Sequence, residues 1–337
     1  MEADMIIRHH SVFLIFIACT ALFSEIAPLA RAKNLHFGSA FYYRDGWDRD
    51  EYEKHFLDNF TILTPEGGIM WGEGGLSPAP GEINFSAGNE IIGFAHENDL
   101  AVKVHHLVWH RYVEGHDPFL PQWLLEGGYG SAELQEHLKD FITQTVTHYT
   151  EKFPHTVQWW SVVNEAGANN FSGFEPNLWL DSIGESYIDS AFVWTREVAP
   201  DEAKLFYNDC FYHGTAADGQ RMEHKIDHAY DVVSGLVERD IPIDGMGFQS
   251  HLTVVGYPGK EAIAADFKRF TDLGLEVYIT ELDVALIPPV TQKQLEQQAK
   301  IYRDLVNIAL ENEKCTMVSL WGFNDAQSWY ESDVAPS

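Results

Sequence analysis

Two acidic residues stand where apolar runs stop. The β-like stretch "VQWWSVV", starting at Val157, closes on Asn164 and Glu165, and "EVYIT", starting at Glu276, closes on Glu281 and Asp283. Buried strands do not normally finish in a charge unless something waits at that end. Two carboxylates facing each other across a pocket are the minimum for glycoside hydrolysis. One stays protonated to donate to the leaving oxygen, and the other attacks the anomeric carbon or activates water. Taken singly, Glu165 reads equally well as a solvated strand end. Within the pair, Glu165 is a proton donor or a nucleophile.

The elements that must position this pair follow from periodicity. Eight β-type runs begin at His36, Phe60, Ala101, Val157, Lys204, Gly245, Glu276 and Thr316, with longer helical segments between them. In 221–240, Met222, Ile226, Ala229, Tyr230, Val233, Leu236 and Val237 form one stripe at spacings near 3.6. In 292–312, Leu295, Ala299, Tyr302, Leu305, Val306 and Ala309 do the same. Strands alternating with helices imply parallel pairing, and eight such units predict a single-domain α/β fold, a closed (β/α)8 TIM barrel. No G-x-G-x-x-G follows the first strand, which argues against a doubly wound sheet. The residues after the eighth strand, "WGFNDAQSWYESDVAPS", are too few for a loop and a full helix. The C-terminal helix of the barrel is therefore expected to be missing or truncated.

In such a barrel, functional groups gather at the C-terminal ends of the strands. The strand ends carry Glu66 (second), His105, His106, Trp109 and His110 (third), Asn164 and Glu165 (fourth), and Asn208 and Asp209 (fifth). They continue with Gln249 and His251 (sixth), Glu281 and Asp283 (seventh), and Trp321, Asn324, Asp325 and Trp329 (eighth). Strands four and seven lie nearly opposite on an eight-membered ring, so the two glutamates face each other. Gln249 and His251 are expected to hydrogen-bond Glu281 and set its charge state. Asn208 reads equally as an Asx turn or a functional group. The histidines hint at zinc, but on a strand His105 and His106 point to opposite faces. No metal and no cofactor are expected.

Composition narrows the partners. Twenty-two basic against 51 acidic residues give a net charge of −29, which repels nucleic acid and anionic lipid. A neutral, hydrated polysaccharide or oligosaccharide is not repelled. The N-terminus has the form of a signal peptide over residues 1–32, with the apolar "SVFLIFIACTALF" and a cleavage site after "ARA", leaving a catalytic domain over 33–337. Export to the extracellular space is expected, with no membrane association after leader removal and a monomeric product. Cys19 leaves with the leader. Cys210 and Cys315 lie at opposite ends of parallel strands, so two free buried thiols are expected rather than a bridge.

Several stretches together resemble one family. "FTILTPEGGIMW", "HHLVWH", "WWSVVNEA", "LFYND", "PIDGMGFQSHL", "YITELDV" and "LWGFNDAQSW" are similar to the retaining glycoside hydrolases of family 10, mostly endo-β-1,4-xylanases, over nearly all of residues 35–330. The resemblance implies Glu165 as acid/base, Glu281 as nucleophile and double displacement through a covalent glycosyl-enzyme. It implies that Asn164 bonds the 2-hydroxyl of the sugar at the cleavage point. His106, Gln249, His251, Trp321 and Trp329 would surround that sugar, and Asp283 would support strand seven. Glu66 and Trp109 complete the expected substrate-binding set.

The chain also departs from the family pattern. The usual "TPEN..KW" carries Gly67 and Met70 here, "RGH" reads "VHH", and the glutamine after "WH" is Tyr112. These changes remove polar groups from the neighbouring sugar subsite. The expected activity is endo-1,4-β-xylanase. The alternatives are a β-glucanase or β-glycosidase with shifted specificity, and a non-catalytic carbohydrate-binding barrel.

Overall fold

The computed structural model describes residues 25–44, 46–72, 76–109, 120–168, 173–209, 223–325 and 328. The elements run α1 (Ile26–Ala32), β1 (His36–Phe41), α2 (Arg49–Asn59), β2 (Ile62–Pro65), α3 (Ser86–Glu97), β3 (Ala101–Val104), α4 (Gln122–Glu126), α5 (Ser131–Lys152) and β4 (Val157–Asn164). They continue with α6 (Leu178–Ile183), α7 (Ser186–Val198), β5 (Lys204–Asp209), α8 (Glu223–Glu238), β6 (Gly245–Phe248), β7 (His251–Thr253), α9 (Lys260–Asp272), β8 (Glu276–Ala285), α10 (Gln292–Glu311) and β9 (Cys315–Leu320). The pairing order is β6-β5-β4-β3-β2-β1-β9-β8, and a β6–β8 pairing closes the ring. Every strand pairing is parallel. The eight-stranded barrel is the one the alternating pattern predicts. The extra strand, β7, is a short rim extension that pairs only with the distal end of β8.

Side chains alternate across each strand, and this builds the interior in layers. Ile62, Ala101, Trp159, Phe206, Tyr278 and Met317 form an apolar floor inside the barrel. Two residues further along the same strands come Thr64, Lys103, Ser161, Asn208, Thr280 and Ser319, all fully buried. These polar groups bond across the lumen: Thr64 to Ser319 (3.4 Å), Thr280 Oγ1 to Asn208 Oδ1 (2.7 Å), and Lys103 Nζ to the Thr280 carbonyl (3.0 Å). One layer higher lies the functional rim. The outward residues, such as Val102, Trp160, Tyr207, Ile279 and Val318, pack under the helices in the larger core.

The helix faces match expectation in α8, where Ile226, Ala229, Val233 and Leu236 are buried. In α10 the stripe is rotated. Leu295 is 42% exposed, and the buried residues are Ile301, Asp304, Leu305, Ile308 and Ala309. Thr291 and Gln294 close the α10 N-terminus as a reciprocal capping box.

The segment carrying the expected cleavage site is α1, whose Ala27 and Ala30 are buried and which packs against α2 and β1. Residues on both sides of the expected cleavage site thus pack in the described fold. Small residues suit a leader cleavage site and close helix packing alike, so the sequence signal does not separate them. Among the described residues no helix follows β9, and most of the segment after Asp325 lies outside them. Cys315 is a free, buried thiol, its pKa pushed by burial to about 12. Cys210 lies outside the described residues. Among the described residues no helix is long and apolar enough to cross a membrane.

Candidate active site

Glu281 sits in the second half of β8, inside a register shift against β9 between Ile279 and Leu282, and is 3% exposed. Its carboxylate is surrounded by donors. Asn208 Nδ2 donates to Oε1 (2.7 Å), His105 Nδ1 lies 3.4 Å from Oε1, and His251 Nε2 lies 3.3 Å from Oε2. Burial alone would raise its pKa, but His105, His251 and Lys103 together hold it down to about 2. Glu281 is an anion throughout the ordinary pH range, as a nucleophile must be.

His251 connects the site to its support. Its Nδ1 is 2.9 Å from Asp283 Oδ2 while Nε2 faces Glu281, so both ring nitrogens meet carboxylates and the ring is an imidazolium. Burial opposes the charge, yet the two carboxylates raise its pKa to about 10. His105, by contrast, is lowered to about 4, chiefly by burial, and is neutral at neutral pH.

Glu165 lies across the lumen, immediately after β4. Its backbone is in the left-handed region (φ 52°), a conformation that costs a non-glycine residue on the order of 1–3 kcal/mol and gathers at functional sites. The turn is held by its own N–H on the Asn208 carbonyl (2.9 Å) and by the Ala166 N–H on Tyr207 Oη (3.1 Å). Gln249 Nε2 donates to Glu165 Oε1 (2.8 Å). The pKa of Glu165 is raised, first by burial and then by Asp209 and Glu281, against the opposing pull of Lys225 and the Gln249 hydrogen bond. The two carboxyls are thus pushed apart in proton affinity, Glu281 down and Glu165 up, which separates an acid from a nucleophile.

A chain of side-chain amides joins them. Gln249 Nε2 also reaches Asn164 Oδ1 (3.2 Å), and Asn208 Nδ2 donates to Asn164 Oδ1 (2.8 Å) as well as to Glu281. With its oxygen occupied from both sides, Asn164 has a fixed orientation. Its buried Nδ2 has no partner among the described residues and is left as a donor.

Asn164, Gln249, His251 and Asp283 all join the network. Gln249 binds Glu165, however, not Glu281, because its amide already spans to Asn164 on the β4 side. Trp321 packs edge-on to His105 (4.9 Å) and lies over Lys103 Nζ (5.6 Å from the ring centroid), walling the Glu281 side. Glu66 is half-buried beside Tyr42, on the β1–β2 side of the rim. Trp109 packs edge-on to His106 (4.8 Å). Trp329, His110 and Tyr112 lie outside the described residues.

The histidine facing Glu281 is His105 rather than His106. Ala101, Lys103 and His105 alternate inward, so period-two counting along β3 finds it. The strand ends at Val104, and the two rings meet at 4.5 Å instead of pointing to opposite faces. The strand-alternation argument against a shared ion therefore does not apply. Among the described residues no cluster of three or more His, Cys, Asp or Glu side chains could hold a metal. Asn208, which the sequence left as an Asx turn or a functional group, is the hub between both carboxylate sides. Gly247 makes room for it, since a Cβ there would fall 2.3 Å from Asn208 Oδ1.

The charge assignments set a pH window for stability. His251, raised to about 10, stabilises the fold fully below its unfolded value of 6.5 and loses that contribution as pH rises through 10. Glu281, lowered to about 2, stabilises above its unfolded value of 4.5 and loses the contribution as pH falls through 2. Lys103, lowered to about 8 by burial, opposes His251: its cost is greatest below 8 and fades above. The Tm difference between wild type and His251→Asn is expected to be largest at about pH 5–6 and to shrink toward about pH 10. A constant difference across that range would remove the imidazolium assignment.

Comparison with known proteins agrees with this geometry. A family model described as Glycosyl hydrolase family 10 matches residues 25–336. The chain is 32% identical over 327 residues to endo-1,4-beta-xylanase B of Thermotoga neapolitana, spanning 95% of this chain and 88% of that one. It is 34% identical over 293 residues to a beta-1,4-xylanase of Dictyoglomus thermophilum, spanning 82% and 75%. Among solved structures, xylanase 10B from Thermotoga petrophila in complex with xylobiose superposes with a TM-score of 0.80 at 31% identity, covering 90% of this chain and 87% of the other. The family match begins at residue 25, so it includes α1 within the shared domain. With a closed barrel, two carboxyls of opposed proton affinity at its C-terminal rim and this similarity along almost its whole length, the chain belongs to glycosyl hydrolase family 10.

Proposed function

We propose that the protein is a retaining endo-1,4-β-xylanase, with Glu281 as nucleophile and Glu165 as acid/base. The observation that carries the assignment is the amide chain through Asn208, Asn164 and Gln249, which ties the two carboxyls to one frame while their surroundings drive their pKa values in opposite directions. Glu281 attacks C1 as the protonated Glu165 donates to the leaving oxygen. Glu165, now a carboxylate, then takes a proton from water attacking the glycosyl-enzyme. The unpaired donor on Asn164 Nδ2 suits a sugar hydroxyl beside the reacting carbon. His251, Asp283 and Asn208 keep Glu281 charged and oriented. Xylan and xylo-oligosaccharides follow from the relatives' shared activity. Incubation with xylan, arabinoxylan, mixed-linkage glucan and cellulose, with NMR of the first-formed anomer, tests this. Xylo-oligosaccharides released with retained β-configuration are expected. An initial α-product, or release from glucan alone, would overturn it.

A second reading, shifted subsite preference, has its own support. Met70 is 7% exposed and Gly67 has φ 121°, a backbone conformation that asparagine disfavours. The polar pair usual in the family is thus absent, and the loop is built for glycine. Each neutral hydrogen bond lost to a sugar costs ~0.5–1.5 kcal/mol, about 2- to 10-fold in binding. Met70→Lys is therefore expected to raise kcat/KM on nitrophenyl β-xylobioside by about 3- to 10-fold. No change is expected on nitrophenyl β-xyloside, which has no second sugar. Equal changes on both substrates would remove the subsite reading.

Secretion is part of the same proposal, with the leader ending upstream of α1 so that Ala27 and Ala30 stay in the fold. The secreted species is expected to run as a monomer in size-exclusion chromatography.

A further inference from the structure

Behind Glu165, three polar side chains lie in a layer that is otherwise apolar. Tyr207 and Asp209 occupy the outward face of β5, and Lys225 reaches them from α8, each no more than 1% exposed. Lys225 Nζ lies 2.9 Å from Asp209 Oδ1. Tyr207 Oη is 2.5 Å from Asp209 Oδ2, and the Ala166 N–H reaches Tyr207 Oη at 3.1 Å. The directions are forced. The carboxylate only accepts, so the phenol donates to it, and the phenol lone pair then receives the amide of Ala166. Burial and Asp209 hold the Tyr207 pKa well above its ordinary value, so the hydroxyl keeps its proton.

The far end of this relay is the strained turn carrying the acid/base. Ala166 follows Glu165 directly, and Glu165 has the left-handed φ of 52°. At Gly167, an added Cβ would lie 3.3 Å from Asp209 Oδ2 and 3.0 Å from His228 Nδ1, so the turn packs closely against the Asp209 carboxylate. Desolvating a buried ion pair is costly, and the pair is kept only where its partners are well satisfied. Nothing in the double displacement itself calls on these three groups.

We propose that Lys225, Asp209 and Tyr207 are positioning residues for Glu165. The ion pair aims the Tyr207 hydroxyl, the hydroxyl holds the Ala166 amide, and that amide fixes the turn that points the Glu165 carboxyl at the leaving oxygen. The proposal rests on Glu165 being the acid/base. The charged and titratable groups acting on Glu165 are Asp209 on β5, Lys225 on α8 and Glu281 on β8, with Gln249 hydrogen-bonded from the β6 side. His228, also on α8, flanks Asp209.

The test is a leaving-group series on the full-length enzyme. For aryl β-xylobiosides, kcat/KM reports steps up to the glycosyl-enzyme, and only poor leaving groups need the acid. Tyr207→Phe is expected to stay within about twofold of wild type on the dinitrophenyl substrate and to fall about 10- to 100-fold on the phenyl substrate. Asp209→Asn combined with Lys225→Met, which removes both charges at similar volume, is expected to give the same slope and carries the test if Tyr207→Phe does not fold. Loss of equal size on both substrates, or no loss, overturns the relay. Glu165→Gln runs alongside. A steep series for Glu165→Gln with a flat one for Tyr207→Phe overturns the relay alone, and a flat series for Glu165→Gln overturns the acid assignment and the relay with it.

Discussion

Glu281→Gln is expected to lower kcat on xylan by on the order of 10⁴–10⁶-fold, the loss typical of removing a nucleophile from a working ensemble. The surroundings make the substitution harsher than its near-isosteric shape implies. Both oxygens of Glu281 face donors, Asn208 Nδ2 on one side and His251 Nε2 on the other. A glutamine places its NH2 against one of them, so a donor meets a donor in a buried site. His251 also loses one of the two carboxylates that hold its charge, and its pKa falls back toward Asp283 control alone. The variant is therefore expected to lose activity and some stability together. Two measurements separate these effects. A 2-deoxy-2-fluoro xylobioside with a good leaving group should add one disaccharide mass to the wild-type peptide containing Glu281 and none to the variant. Labelling on another residue, or more than about 1% residual xylanase activity, is incompatible with Glu281 as the attacking group.

The sequence carried the barrel because its strands advertise themselves twice, by apolar composition and by polar residues at one end. "KLFYN" and "VQWWSVV" were found within a residue or two of β5 and β4 for that reason. β7 was invisible, since three residues such as His251–Thr253 hold too little pattern, and their pairing with β8 is a tertiary event. The rotated face of α10 has the same origin: Leu295 fits the helical period, yet tertiary packing leaves it exposed. At the site, residue types were legible and partnerships were not. Chain proximity to His251 assigns Gln249 to Glu281 but says nothing about which way an amide spans, and Gln249 bonds Glu165. His105 was legible through period two along β3, where Ala101 and Lys103 already point inward. Asn208 and the Tyr207–Asp209–Lys225 group were not, since single polar residues beside a strand end look like turn formers until a partner from another element meets them.

Glu165→Ala is expected to give a different signature from the nucleophile variant, because Glu165 acts twice. On xylan, whose leaving group needs a proton, loss of the acid should lower kcat/KM by about 10²- to 10⁴-fold. On a dinitrophenyl xylobioside, kcat/KM should remain within a few-fold of wild type, while steady-state turnover slows, since no base remains to activate water. A burst of dinitrophenol followed by a slow phase is the expected trace. Azide needs no base, so it should restore turnover and yield a β-glycosyl azide. The pH profile follows from the direction of the shift. Glu165 must be protonated in the first step, so wild-type kcat/KM falls as pH rises through its pKa. Burial, with Asp209 and Glu281, moves that descending limb upward from the ordinary carboxyl range. In Glu165→Ala the descending limb should vanish from the residual activity on the phenyl xylobioside, whose leaving group needs the proton, while the ascending limb, which belongs to Glu281 held near 2, stays in place. A descending limb that survives the substitution would assign the proton donor to another group on the rim, and the raised carboxyl opposite Glu281 would then have no part in cleavage.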